Sequence, residues 1–178
     1  LGEPGDSAFL TTRQSTSPAD GSNPTDSNSM LPQTPHKKLI VKSAQGVVTV
    51  STVSTTTYTV TVGSKSGGGN AFYIDGVERP SITINEGSSA IFNLSDNTVD
   101  SHPFYLSTTS DGSHGGGSVY TTGVTFKING SAVSQSAYAS GYASATTRAL
   151  EITVASSAPT LYYYCSSHSG MGNSISTP

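Results

Sequence analysis

The chain has 178 residues, 33% of them apolar and only 11% charged, with a net charge of −3 and a single cysteine. That length bounds it to one domain, or one domain with an extension, and the scarcity of Lys and Arg beyond Lys37-Lys38 leaves no electrostatic footprint for nucleic acid or an anionic membrane. No run of about 20 apolar residues could span a bilayer, and one cysteine excludes an internal disulfide.

From Leu1 to about Gln33 the sequence is rich in Ser, Thr, Pro, Asp and Asn, with isolated apolar residues at Phe9, Leu10, Met30 and Leu31. Such a stretch buries too little surface to offset the entropy of ordering it, so alone it reads as a flexible arm, either a plain linker or tail or an arm that docks onto a neighbouring subunit. The start at Leu1, with no charged segment leading into an apolar one, fits either a leader already removed or a start inside a longer product. Residues 1–50 are assigned to this arm and its linker strands, and residues 51–178 to a β-sandwich.

Leu39-Ile40-Val41 and Val47-Val48-Thr49-Val50 read as two short strands about a turn. Tyr58 to Val62 alternates with period two, as a half-buried strand does. Phe72-Tyr73-Ile74 is a strand closed by the turn pair Asp75-Gly76. Ile82-Thr83-Ile84 and Ala90 to Leu94, about Asn85-Glu86-Gly87, predict a hairpin. A strand is expected over His102 to Leu106, after the turn-prone stretch Ser95 to Asp100. Asp111 to Gly117 is a loop, and its His114 reads as a turn residue among glycines. Val119 to Ile128 supplies one or two strands bent at Gly123. Ser131 to Arg148 has no clear period, with room for a helical turn or two between Ala132 and Ala145. Leu150 to Val154 and then Leu161 to Cys165 are the last long strands. Short strands with turn signals every ten residues or so predict an all-β Greek-key sandwich or barrel.

The chemistry gathers at the end. Tyr162-Tyr163-Tyr164-Cys165 delivers the only thiol into the loop Ser166-Ser167-His168-Ser169-Gly170-Met171-Gly172. A thiolate, an imidazole and a thioether on one tight loop, joined by a second imidazole from an adjacent strand, are the donors of a mononuclear copper site of the blue type. The upstream candidate is His102, so the expected metal ligands are His102, Cys165, His168 and Met171. Asp96, Asp100 and Asp111 match no calcium-loop spacing. No nucleophile elbow accompanies the many serines, and no enzymatic activity is expected.

These residues resemble the cupredoxins, the plastocyanin-like blue copper proteins. Plastocyanins end in a segment of the type Tyr-Tyr-Cys-x-x-His-x-Gly-x-Gly-Met, and Tyr163 to Gly172 is similar with a shorter ligand loop, closer to the amicyanin type. Ile82 to Gly87 with Phe92-Asn93, and Leu150 to Val154, resemble the family's strands before the first histidine ligand and before the cysteine strand. The likeness covers about Thr57 to Pro178. It implies a cupredoxin-like Greek-key sandwich with a type-1 copper site. The chain departs from it in the long stretch between His102 and Cys165, in the seven residues after Met171, and in lacking an acidic or apolar docking patch.

The ending also resembles modules of virion structural proteins from marine and cyanobacterial phages. That likeness implies a structural or surface-display unit, of a decoration or fibre-like kind, in a virion or at a cell surface. Its partners would be other protein subunits reached through residues 1–50. The alternative is a blue-copper electron carrier or copper-binding protein.

Overall fold

The computed structural model describes the backbone of residues 38–44 and 47–178, with side chains from Ser54 onward. Of the arm and linker strands expected over residues 1–50, residues 1–37, 45 and 46 lie outside the described residues. β1 (Lys38–Ala44) and β2 (Val47–Val53) form a separate antiparallel pair, Ala44 opposite Val47, as their two apolar runs lead one to expect. β2 runs through residue 50, where the arm was taken to end, as far as Val53.

The rest of the described chain is an all-β fold of two mixed sheets with one short helix. Its strands are β3 (Thr55–Ser64), β4 (Asn70–Ile74), β5 (Val77–Glu78), β6 (Ile82–Thr83), β7 (Ser89–Asn93), β8 (Phe104–Ser107), β9 (Val124–Ile128), β10 (Ser131–Val133), β11 (Arg148–Thr153), β12 (Leu161–Cys165) and β13 (Ser174–Ser176). The larger sheet has the order β10-β9-β11-β7-β3-β4-β5, and the smaller β6-β13-β12-β8. Parallel pairing of β3 with β7 and of β13 with β6 makes each sheet mixed.

Period-two patterning sets the faces. In β7 Ala90 and Phe92 are buried, and in β11 Leu150 and Ile152. Register then stacks Phe126, Leu150, Phe92 and Tyr58 in one row across four strands. From the smaller sheet Phe104 reaches this layer, its ring 5.0 Å from Phe92, 5.1 Å from Phe72 and 5.6 Å from Tyr163. Burying each such side chain contributes about 1.5–3 kcal/mol, and this shared aromatic core is what holds the two sheets face to face.

The expected hairpin between Ile82-Thr83-Ile84 and Ala90 to Leu94 does not form. β6 pairs with β13 in one sheet, while β7 sits between β11 and β3 in the other. Between them the chain crosses from sheet to sheet, with the Glu86 amide bonded to the Pro178 carbonyl and the Gly87 amide to the Val154 carbonyl. A central position gives Phe92 both Leu150 and Tyr58 as cross-strand neighbours, which pairing with the short β6 could not supply. The Asp75-Gly76 turn is as expected. It joins β4 to β5 as a two-residue loop with φ of 49° and 81°, the primed turn that suits the twist of a hairpin.

Ser131 to Arg148 becomes β10 and a helix, α1 (Gln135–Gly141), whose first turn is capped by the Ser134 hydroxyl accepting from the Ala137 amide. This segment has a packing purpose. β8 lies at a sheet edge yet is buried on both faces, and Tyr138 of α1 covers it, its ring 5.4 Å from Tyr105 and its hydroxyl donating to the Phe104 carbonyl at 3.2 Å. Tyr120 donates its amide to the Leu106 carbonyl at 2.7 Å, so the edge strand is closed to further pairing there.

Candidate metal centre

His102 is not the first residue of a strand. β8 begins at Phe104, because Pro103 has no amide hydrogen to give a ladder and fixes its own φ. His102 instead ends a turn, its amide bonded to the Val99 carbonyl at 2.8 Å, after a 3₁₀ segment at Asn97–Val99 that Asp96 caps. The register between β12 and β8 sets Cys165 opposite Phe104, and the Ser166 amide bonds to the Pro103 carbonyl at 3.0 Å. One end of the smaller sheet therefore carries both the turn of His102 and the loop after Cys165.

Three of the four expected donors come together there. The Cys165 sulfur lies 3.9 Å from Nδ1 of His102 and 3.7 Å from Nδ1 of His168, and the three ligand atoms are all within 4.8 Å of one another. Bonds of about 2.3 Å to sulfur and 2.05 Å to nitrogen put the two donors about 3.8 Å apart at 120° and about 3.6 Å at a tetrahedral angle. The point equidistant from three atoms so spaced is at most about 2.5 Å from each, close to bonding distance for a first-row metal. Both imidazoles direct Nδ1 at the sulfur.

Burial differs among the three. Cys165 is fully buried and His102 is 6% exposed, whereas His168 is exposed and forms the outer edge of the cluster. Burial pushes the Cys165 thiol up; the amides of Ser167 and His168 pull against that shift, and nearby Asp111 adds to it. Burial, and then the neighbouring His168, lower the His102 imidazole and favour its neutral, metal-binding form. A bound cation would reverse the balance at the thiol and hold it as thiolate.

Met171 is 1% exposed and lines, with His168, an open cavity of about 510 Å³ that also touches Lys65, Asn70 and His114. Its carbonyl accepts from the Phe72 amide at 3.0 Å, and that of Gly172 accepts from Nε of Arg79 at 3.0 Å, so this end of the loop is fastened to the other sheet. Gly172 is dictated by space, since a Cβ there would overlap the Tyr163 carbonyl.

The other candidates do not join the cluster. Asp96 caps its own turn, Asp100 pairs with Arg148, and Asp111 accepts from the Gly170 amide. His114 is a turn residue in the segment Gly112–Gly115, as expected, but its ring also bonds the Cys165 carbonyl at 3.0 Å. Sequence reasoning gave neither Asp111 nor His114 a part in the site. Their spacing from the ligand loop in the chain carries no sign of it.

Scanned against protein-family models and against curated proteins, the chain matches none.

Proposed function

We propose that residues 51–178 are a cupredoxin-like Greek-key module in which His102, Cys165 and His168 would hold one copper ion, with Met171 as the remaining candidate donor. One observation carries the reading: two imidazole nitrogens converge on a single thiol sulfur at separations close to those of a trigonal site. A trigonal plane of two imidazoles and a thiolate suits copper, whereas structural zinc favours four ligands in a tetrahedron.

The module serves a larger assembly as a structural or display unit, in a virion or at a cell surface, and does not diffuse as an electron carrier. Supporting this, the exposed edge of His168 is rimmed by Lys65, Gly69, Asn70, Ser167 and Ser169, and the one exposed large apolar side chain among the described residues is Val77. A carrier that must meet a partner presents an apolar or strongly charged patch around the exposed ligand. Residues 1–50 would join neighbouring subunits, with Phe9, Leu10, Met30, Leu31 and the run Leu39-Ile40-Val41 as anchors.

Two measurements test the proposal. Titration of the purified chain with Cu(II) should give an intense visible thiolate-to-copper band saturating at one equivalent. Light scattering should find an oligomer. Deleting residues 1–46 should leave a folded monomer that keeps the band. A monodisperse full-length monomer with the band would return the alternative, a blue-copper carrier, to first place.

A further inference from the structure

Resting on the copper reading above, we propose that the loop Asp111–Gly117 is a clamp that holds the ligand loop in its metal-ready shape, with Asp111 and His114 as positioning residues. Neither is a ligand. The ligand loop runs from Cys165 to Met171, and the clamp grips it near both ends. At the first end His114 Nε2 meets the Cys165 carbonyl at 3.0 Å, and since a carbonyl only accepts, that nitrogen carries the proton. At the far end the Asp111 carboxylate accepts from the Gly170 amide at 2.9 Å. Between the grips Gly112 lies flat on the Tyr164 ring, so close that a Cβ would overlap it.

The clamp is stiff in itself. The Gly117 amide returns to the Gly112 carbonyl at 2.9 Å, closing the loop. Asp111 and Gly112 take φ of 58° and 52°, a left-handed pair that turns the Asp111 carboxylate and the following 3₁₀ turn toward the ligand loop. His168 sits inside the gripped segment and is exposed, so its imidazole, 4.7 Å from the His102 ring, depends on its backbone being held in place. Hydrogen bonds on both sides of it supply that constraint, which is how a site is made ready for its ion in advance.

The test pairs substitutions that keep a grip with ones that lose it. Asp111→Asn keeps an acceptor and tolerates the left-handed backbone, while Asp111→Gly tolerates the backbone and loses the acceptor; His114→Gln keeps a donor and His114→Ala does not. The first readout needs no metal: the rate at which an aromatic disulfide reagent modifies the buried Cys165 thiol in the native apo protein. We expect Asp111→Gly and His114→Ala to raise that rate about tenfold or more, and Asp111→Asn and His114→Gln to stay within about threefold of wild type. The second readout is the dissociation rate of Cu(II), which should rank the variants in the same order. Equal thiol rates across all four folded variants would overturn the clamp, as would Asn and Gln variants as reactive as Gly and Ala. Should one losing variant fail to fold, the other decides, since each removes one grip. The thiol ranking without a copper band in wild type would uphold the clamp and sink the copper reading. A copper band without the ranking would do the reverse.

Discussion

Cys165 and Phe104 stand opposite each other in the antiparallel register of β12 and β8, and that single pairing brings His102, two residues before Phe104, to 3.9 Å from the thiol. The imidazole is thus placed by sheet register, with Pro103 ending the ladder between them. Slipping the register by one residue would turn Cys165 to the other face and dissolve the cluster.

Replacing the sulfur tests the chemistry apart from the fold. Cys165→Ser should abolish the thiolate-to-copper band while leaving a folded apo protein, destabilised by about 1–2 kcal/mol for a buried hydroxyl in place of a thiol. Urea unfolding followed by circular dichroism checks the second part. Loss of cooperative folding would show the thiol to be part of the core in its own right.

The apo protein should be most stable between two titrations. Because His102 is lowered on folding, its contribution is present above the unfolded imidazole value of about 6.5 and is lost as pH falls below it through the folded value. Because Cys165 is raised, its contribution is present below the unfolded thiol value of about 8.5 and is lost as pH rises through the folded one. His102→Gln should flatten the acid limb of the urea midpoint against pH, and Cys165→Ala the part of the alkaline limb below about pH 10, where tyrosines begin to ionise. Unchanged limbs in both variants would contradict these assignments.

The closeness of His102, Cys165 and His168 was legible in the sequence, because such side chains announce themselves. A lone cysteine closing an aromatic strand, with His168 and Met171 at short intervals, marks a candidate ligand loop before any fold is known. Placing His102 needed only that it precede an apolar strand. The clamp was hidden, since Asp111 and His114 act through a carboxylate on an amide and a ring on a carbonyl, contacts that exist only once β8 and β12 pair. The failed hairpin has a similar cause. Local turn signals at Asn85-Glu86-Gly87 mark a reversal of the chain, but which sheet receives Phe92 depends on Leu150 and Tyr58, both distant in sequence. Tyr138 likewise lies in a stretch without periodicity, because α1 spans Gln135–Gly141 and is too short to display one.

The loop after Met171 should be intolerant of a single methyl group. Gly172→Ala would drive a Cβ into the Tyr163 carbonyl, and backbone cannot yield as a side chain can. We expect a loss of about 1–3 kcal/mol in urea unfolding together with weaker copper binding. A variant as stable and as tight as wild type would mean that β12 and the ligand loop part without cost.

Two ion pairs should behave differently. The Arg148 guanidinium is 2% exposed and meets Asp100 at 2.6 Å, beside the turn that carries His102, whereas Lys127 and Glu151 are each about a third exposed. Asp100→Asn, which takes the anion from a buried cation, should cost about 1–3 kcal/mol, and Lys127→Ala no more than about 1 kcal/mol. Unfolding curves at low and high salt distinguish them. Equal costs would refute the structural weight given to Arg148.

Binding of one copper ion between His102, Cys165 and His168 is tested most directly by X-ray absorption at the copper edge of the loaded protein. One short sulfur shell and two imidazole nitrogens, with the sulfur shell lost in Cys165→Ser and one imidazole lost in His102→Gln, is the predicted result. A copper ion surrounded only by oxygen and nitrogen, unchanged by either substitution, would contradict it.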